Sequence, residues 1–252
     1  MNFFGLNLPS LTRKAALEAL ESGPQMIFTP NPEILLEARK NPAFLQALQE
    51  ADLLLPDGNG LLFVSALKGW PRPLRIVALL PAMLLFLFWK KPFKTYFPEV
   101  IHGSDFMKDV VGWSAKAGKS VYFLGAGPGI AEKTAEVFKS KCPDLKVAGF
   151  SGVDPGPEAL ELVQKSEVQV LFVAYGAPKQ ELWLAENREK LPQVCMAVGG
   201  SFDFWSGQVR RAPRLFQGLG LEWLWRLILN PRIRLKRIWN AVAVFPVLAL
   251  LD

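Results

Sequence analysis

The chain is 252 residues long, half of them hydrophobic, with a net charge of +6. That length suits one large α/β domain, with or without an appendage, and the apolar fraction sits at the upper edge for a soluble protein. Two distant cysteines, Cys142 and Cys195, and a single histidine, His102, point to a reducing compartment and exclude a Cys/His zinc site.

No basic segment leads into an apolar stretch and a small-residue cleavage site at the start of the chain, so no signal peptide is expected. The first 25 residues read as a short strand at Phe3-Phe4 and an amphipathic helix from about Leu11 to Leu20. Met26-Ile27-Phe28 is a strand that stops at Thr29-Pro30-Asn31-Pro32. Asn31 and Pro32 suit the N-cap and first position of a helix running to Arg39. Thr29 and Asn31 then stand at the carboxyl end of a strand, where open α/β sheets bind ligands. The pattern repeats at once: Ala51 to Leu55 is a strand, and Pro56-Asp57-Gly58-Asn59-Gly60 turns it into a helix over Leu61–Leu67. Asp57 is either a plain turn residue or N-cap, or a general base presented at the same sheet edge.

Residues 70–99 differ from their surroundings. Ile76 to Trp89 is an uncharged run of fourteen residues with Arg72 and Arg75 before it and Lys90, Lys91 and Lys94 after it. A spanning helix needs about 20 residues, so the run is too short, and Pro81 interrupts it. Basic flanks and aromatic ends fit a segment lying in a membrane interface, with a buried core helix as the alternative.

Ser120 to Leu124 is a strand leading to Gly125-Ala126-Gly127-Pro128-Gly129, with Pro128 suited to the first position of a helix through Phe138. Such a turn presents free N–H groups and a helix dipole to an anion. It is a poor dinucleotide fingerprint, because the third glycine comes one residue early and no acid follows about twenty residues on; NAD is therefore not expected. Residues 144–166 give another strand, loop and helix. Val168 to Ala174 is a buried strand broken by Tyr175-Gly176-Ala177-Pro178, and Val194 to Val198 is another, ending in Gly199-Gly200. Lys179, Gln180, Ser201 and Asp203 flank these two turns, as they would flank a bulky anion.

From Phe204 onward eight arginines and lysines face only Glu222 and Asp252, a surplus equal to the net charge of the whole chain. Trp223, Trp225 and Trp239 are interleaved with them, and Ile238 to Leu251 is a second uncharged run of fourteen, with Pro246 inside. This composition suits a phosphate-rich partner, above all an anionic membrane, although single-stranded nucleic acid uses the same residue types. Two apolar runs suggest a monotopic protein. The expected fold is α/β: a Rossmann-like, mainly parallel sheet with helices on both faces, plus a basic helical C-terminal membrane-binding appendage. The expected boundaries are a core over residues 1–206, with the apolar insert at 70–99, and an appendage over 207–252.

The segments TPNPEILLEA, ADLLLPDGNG, FLGAGPGIAEK, VAYGAPKQELW, VGGSFDFWSGQVRRAP and LGLEWLWRL, in this order, resemble the WecG/TagA/CpsF family of bacterial glycosyltransferases over most of residues 26–240. The resemblance implies inverting transfer of an N-acetylhexosamine, typically N-acetylmannosamine, from a UDP-sugar to an undecaprenyl-diphosphate-linked sugar at the cytoplasmic membrane face. It implies Asp57 as general base with Thr29 and Asn31 beside the donor sugar. It implies a UDP pocket lined by Gly125, Gly127, Tyr175, Gly176, Pro178, Lys179, Gln180, Glu181, Gly199, Gly200, Phe202 and Asp203. Arg214, Arg226, Arg232 and Arg237 would hold the acceptor diphosphate, a task for which guanidinium is well shaped. No cofactor is implied. No Asp-x-Asp triplet occurs, so a bridging metal is not indicated, and helix N-termini with Lys179 or arginines are expected to neutralise the departing diphosphate.

Two departures stand out. Members of this family usually read Arg-Val-Thr-Gly-Ser-Asp where this chain has Val100-Ile101-His102-Gly103-Ser104-Asp105. His102 is read as an incidental polar residue rather than a substitute for the missing arginine. The insert at 76–89 is also unusual, and would add a membrane contact near the acceptor's entry. The competing reading is a non-catalytic α/β module that binds membrane or nucleic acid; under the leading reading nucleic acid is not a partner and a homo-oligomer is allowed.

Overall fold

The computed structural model describes residues 1–209, 213, 222–229 and 231–252. The chain opens with a small antiparallel hairpin, β1 (Asn2–Phe3) and β2 (Leu6–Asn7), followed by α1 (Arg13–Glu18). The first βαβ region is β3 (Gln25–Phe28), α2 (Pro32–Ala38), α3 (Pro42–Gln49) and β4 (Leu53–Leu54), followed by α4 (Asn59–Lys68). The apolar insert forms α5 (Arg72–Val77) and α6 (Leu79–Phe88), and the chain returns through α7 (Gly103–Lys116) to β5 (Ser120–Gly125). Then come α8 (Ile130–Lys141), β6 (Lys146–Ser151), α9 (Pro157–Lys165), β7 (Val170–Ala174), α10 (Lys179–Glu186), β8 (Val194–Ala197) and α11 (Ser201–Trp205). The C-terminal part contains α12 (Glu222–Leu229), α13 (Pro231–Trp239), a π-helical turn over Asn240–Val244 and α14 (Phe245–Leu251).

Six strands form one sheet in the order β4-β3-β8-β7-β5-β6, and every neighbouring pair is parallel. Side chains alternate across a strand, so each strand feeds two cores. Met26, Phe28, Tyr122, Leu124, Leu171 and Val173 face the layer of α2, α3, α4, α9, α10 and α14. Ile27, Val121, Phe123, Val170, Phe172 and Met196 face α1, α7, α8 and α11. Phe123 is the hub of this second core, with Phe138, Phe172 and Phe202 at 5.9, 5.6 and 5.7 Å between ring centroids. Because both strand faces are covered, the central strands are continuous apolar runs, as parallel sheets require.

Caps set the helix starts. Asn31 accepts from the N–H groups of Glu33 and Ile34 at 2.9 and 3.1 Å with Pro32 at the first position, and Asn41 repeats the device for α3. One start differs from expectation: α8 begins at Ile130, not Pro128, because Gly129 at φ 73° caps it in the left-handed region and leaves Pro128 in the turn.

The C-terminal run departs from the sequence expectation more substantially. α14 is not a membrane segment on an appendage; Phe245, Ala249 and Leu250 are buried in the same core as the sheet. Phe245 packs against Phe3 and Phe4 at 5.9 and 6.1 Å, and Asp252 accepts from the Phe4 N–H at 3.2 Å and pairs with Lys68 at 3.6 Å. The apolar run belongs there because α4, which is apolar on nearly every side, otherwise lacks cover on this flank. The insert behaves oppositely: of α5 and α6 only Phe86 is buried, so it is not the core helix offered as the alternative. Among the described residues no helix is long and apolar enough to cross a membrane.

Candidate active site

A parallel sheet delivers the ends of all its strands to one edge, and the polar residues singled out in the sequence gather there. The β3–β4 ladder continues past the strands through Leu55 N–H to Phe28 O and Asp57 N–H to Pro30 O, both 2.9 Å, which fixes the backbone of Asp57 beside Thr29–Asn31. Its carboxylate is about three-quarters buried. One oxygen accepts from the N–H of Gly103 at 3.3 Å, at the start of α7, and the other lies 3.1 Å from His102 Nδ1. Gly103 also admits Thr29, since a methyl group there would sit 3.0 Å from the threonine hydroxyl. Ile101 N–H bonds to Pro56 O at 3.4 Å and holds the two segments together.

His102 therefore corrects the sequence reading: it is not incidental but paired with Asp57. A sequence signal existed. A helix that precedes a parallel strand must begin at the carboxyl edge of the sheet, so the residues before α7 were bound to lie near the ends of β3 and β4. Asn31 stands at the same edge, with its side-chain oxygen committed to the α2 cap.

The second half of the site is built from the turns after β5, β7 and β8. β5 is followed by α8 on one face of the sheet and β7 by α10 on the other, so a crevice opens between these neighbouring strands. Gly125, at φ 96°, lies under the ring of Tyr175; a methyl group there would approach the ring to 2.8 Å. Tyr175 leans edge-on against Trp183 at 5.8 Å, and Gly127 follows in the same turn as Gly125. Ala177-Pro178 is a cis peptide, Pro178 caps α10, and Lys179 is exposed at the helix start.

Gln180 joins the two turns. Its carboxamide oxygen accepts from Gly176 N–H at 3.1 Å and Gly199 N–H at 3.0 Å, while its nitrogen donates to Glu181 at 2.9 Å. Gly199 and Gly200 lead into α11, where the Asp203 carboxylate lies close enough that a methyl group at Gly200 would touch it at 3.4 Å. Glu181 is buried, and burial pushes its carboxyl up to about 7, against the smaller lowering effect of the Gln180 hydrogen bond. Burial also holds the Tyr175 hydroxyl well above the usual phenol range, with Asp154 adding to the shift. Among the described residues, the buried side-chain atoms without a hydrogen-bond partner are the Tyr175 hydroxyl and one Glu181 oxygen, both on this one segment. Buried polar atoms are seldom left without a partner, so this segment has room for further hydrogen bonds from water or a ligand.

Two expectations need correction. Phe202 is fully buried against Phe123 and supports the glycine turn from beneath, so it faces no ligand. Arg237, expected at the acceptor diphosphate, is half exposed and already paired within the protein. It forms a two-pronged pair with Glu33 in the first turn of α2, Nε donating to Oε1 at 2.8 Å and Nη2 to Oε2 at 2.5 Å, and so ties α13 over that helix. Arg214 lies outside the described residues, as do the side chains of Arg226 and Arg232.

The sequence model of the family described as "Glycosyl transferase WecG/TagA/CpsF family" matches residues 1–81 and 79–252. A protein of Bacillus spizizenii named N-acetylglucosaminyldiphosphoundecaprenol N-acetyl-beta-D-mannosaminyltransferase is 35% identical over 208 residues, covering 81% of this chain and 71% of that protein. A protein of the same name from Bacillus subtilis is 31% identical over 209 residues, covering 82% of this chain and 72% of that protein.

Proposed function

Because this chain belongs to the WecG/TagA/CpsF family of glycosyl transferases, we propose that it moves N-acetylmannosamine from a UDP-sugar to an N-acetylglucosamine carried on undecaprenyl diphosphate. The names of the two relatives support the acceptor and the transferred sugar. The structural observation that carries the reading is the Asp57 carboxylate, held at the carboxyl edge of the sheet by Gly103 N–H and His102, the same edge at which the glycine turns end their strands.

In this reading Asp57 takes the proton from the acceptor hydroxyl as that oxygen attacks the anomeric carbon of the donor. The bond from the anomeric carbon to the UDP oxygen breaks on the opposite side, so configuration inverts and UDP leaves with the bonding pair. The Gly103 N–H and His102 fix the direction of the carboxylate. The turns at Gly125–Gly129, Gly176–Pro178 and Gly199–Gly200 receive the UDP, with the starts of α8 and α10 and the Lys179 ammonium offsetting the charge on the departing diphosphate. A lipid-linked acceptor sets the work at a membrane surface, and we assign the protein to its cytoplasmic face as a peripheral protein.

The test is transfer from UDP-N-acetylmannosamine to a lipid-diphosphate N-acetylglucosamine acceptor. Asp57→Asn should lower kcat by about 10²–10⁴-fold while calorimetry shows UDP affinity retained, and His102→Ala should lower kcat by a smaller factor. Turnover by Asp57→Asn near the wild-type rate would sink the assignment.

A further inference from the structure

α6 is apolar all the way round. Leu79, Ala82, Met83 and Phe86, at positions i, i+3, i+4 and i+7, form the stripe that packs on the core, with Phe86 lying 5.4 Å from Phe63 of α4 and 5.0 Å from Phe93. The opposite face, which a helix turned to water would make polar, carries Leu80, Leu84, Leu87 and Phe88; Leu80 is 63% exposed and Phe88 89%. α5 extends this surface with exposed Leu74, Ile76 and Val77, and Trp70 and Trp89 stand exposed at its two ends. A contiguous apolar surface of this kind is an interaction site, and its occupant is either lipid or protein.

Charge decides between them. Residues 70–98 contain Arg72, Arg75, Lys90, Lys91 and Lys94 and no acidic residue. A second copy of the chain docked face to face would set these cations against their own images, because a two-fold interface uses the same patch on both sides. An anionic lipid surface neutralises them instead. Tryptophans at the ends and basic residues outside the apolar stretch are the arrangement of a helix lying in the headgroup layer. With α5 ending at Val77 and α6 starting at Leu79, neither helix has the length to cross.

We propose that α5 and α6 dock the protein in the plane of an anionic bilayer, and that the second apolar run of the sequence does not. The proposal rests on the reading that the acceptor is lipid-linked, and it deepens that reading by naming the surface that meets the lipid. α14 is spent on covering the protein's own core, so of the two apolar runs the insert is the one left to meet lipid.

The experiment is co-sedimentation of the full chain with phosphatidylcholine vesicles, with and without phosphatidylglycerol, in the absence of substrates. Wild type should bind the anionic vesicles and be released by salt. Leu80→Glu, Leu84→Glu and Phe88→Glu combined should weaken that binding by about tenfold or more with the melting temperature unchanged, whereas Val247→Glu on α14 should leave it as in wild type. Should the triple variant fold poorly, Lys90→Ser, Lys91→Ser and Lys94→Ser combined should lose the preference for anionic vesicles. Wild-type binding by the triple variant would overturn the proposal. So would a wild-type protein that ignores vesicles and is a dimer in solution which the triple variant splits. Transfer to a short-chain, water-soluble acceptor separates the two readings. If wild type fails there while vesicle binding follows the pattern above, the assignment of function falls and the docking surface stands.

Discussion

Gln180 and Glu181 are neighbours with different tasks, and together they explain why the segment after β7 is so sharply defined. The Gln180 carboxamide takes the N–H groups of two separate glycine turns. Removing it would leave both donors short of a partner, at a cost of about 1–3 kcal/mol each where they are buried. Burial raises the Glu181 carboxyl from the ordinary 4.5 to about 7. The folded state therefore binds this proton more tightly than the unfolded chain does. The associated stability is fully present below pH 4.5 and is lost as pH rises through about 7. Each tenfold gain in proton affinity is worth about 1.4 kcal/mol, so the contribution amounts to roughly a few kcal/mol. Glu181→Gln should flatten the fall in melting temperature between pH 5 and pH 7.5; parallel slopes for the two proteins would show that Glu181 is ionised throughout. Much at this scale was legible in the sequence. Asn31 reads as a cap because a proline follows it, and Asp57 stands out because it opens a glycine-rich turn at the end of a strand. Phe202 misled, since a segment rich in glycine and polar residues also contains the one whose ring anchors it to the core. His102 escaped because its partner lies 45 residues earlier in the chain, and no local pattern ties the two.

At the scale of elements, α6 and α14 come from runs of the same length and similar composition and meet opposite fates. Neither hydropathy nor an internal proline separates them. What separates them is the presence of a matching surface: Phe3, Phe4 and α4 wait for α14, while only one stripe of α6 finds the core. The two phenylalanines at the end of α6 test this division. Phe86→Ala should destabilise the fold by about 3–5 kcal/mol, since it empties a buried cluster, whereas Phe88→Ala should stay within about 0.5 kcal/mol. Urea denaturation of both variants measures it, and equal losses would show that the outer face of α6 is packed. The order of the core strands, by contrast, was readable in the sequence, whereas α3 and α7 were not anticipated. Each strand of this sheet ends in glycine, proline or polar residues that can only be turns, and the parallel arrangement follows from the helices between them.

For the whole molecule, the boundary expected at residues 206/207 does not isolate the C-terminal part, because its last helix lies in the core that the first residues help to form. Deleting residues 245–252 should therefore lower the melting temperature and broaden the unfolding transition, even in a buffer free of lipid. A truncated protein that melts as sharply and as high as the full chain would restore the idea of a separable appendage. The sequence could not reveal this, since a helix that closes a core and a helix that enters a membrane need the same side chains.

The position of β3 carries a consequence for how the protein is made. It lies between β4, which follows it closely, and β8, whose Met196 pairs with its Ile27. As the chain leaves the ribosome, β3 and β4 emerge early, yet one flank of β3 has no strand to bond with until residues 194–197 are synthesised. Long-range closure of this kind is slow, and an open strand edge invites wrong partners in the meantime. Closure of the sheet therefore waits on the synthesis of β8, and the open edge of β3 is where wrong pairing would begin in that interval.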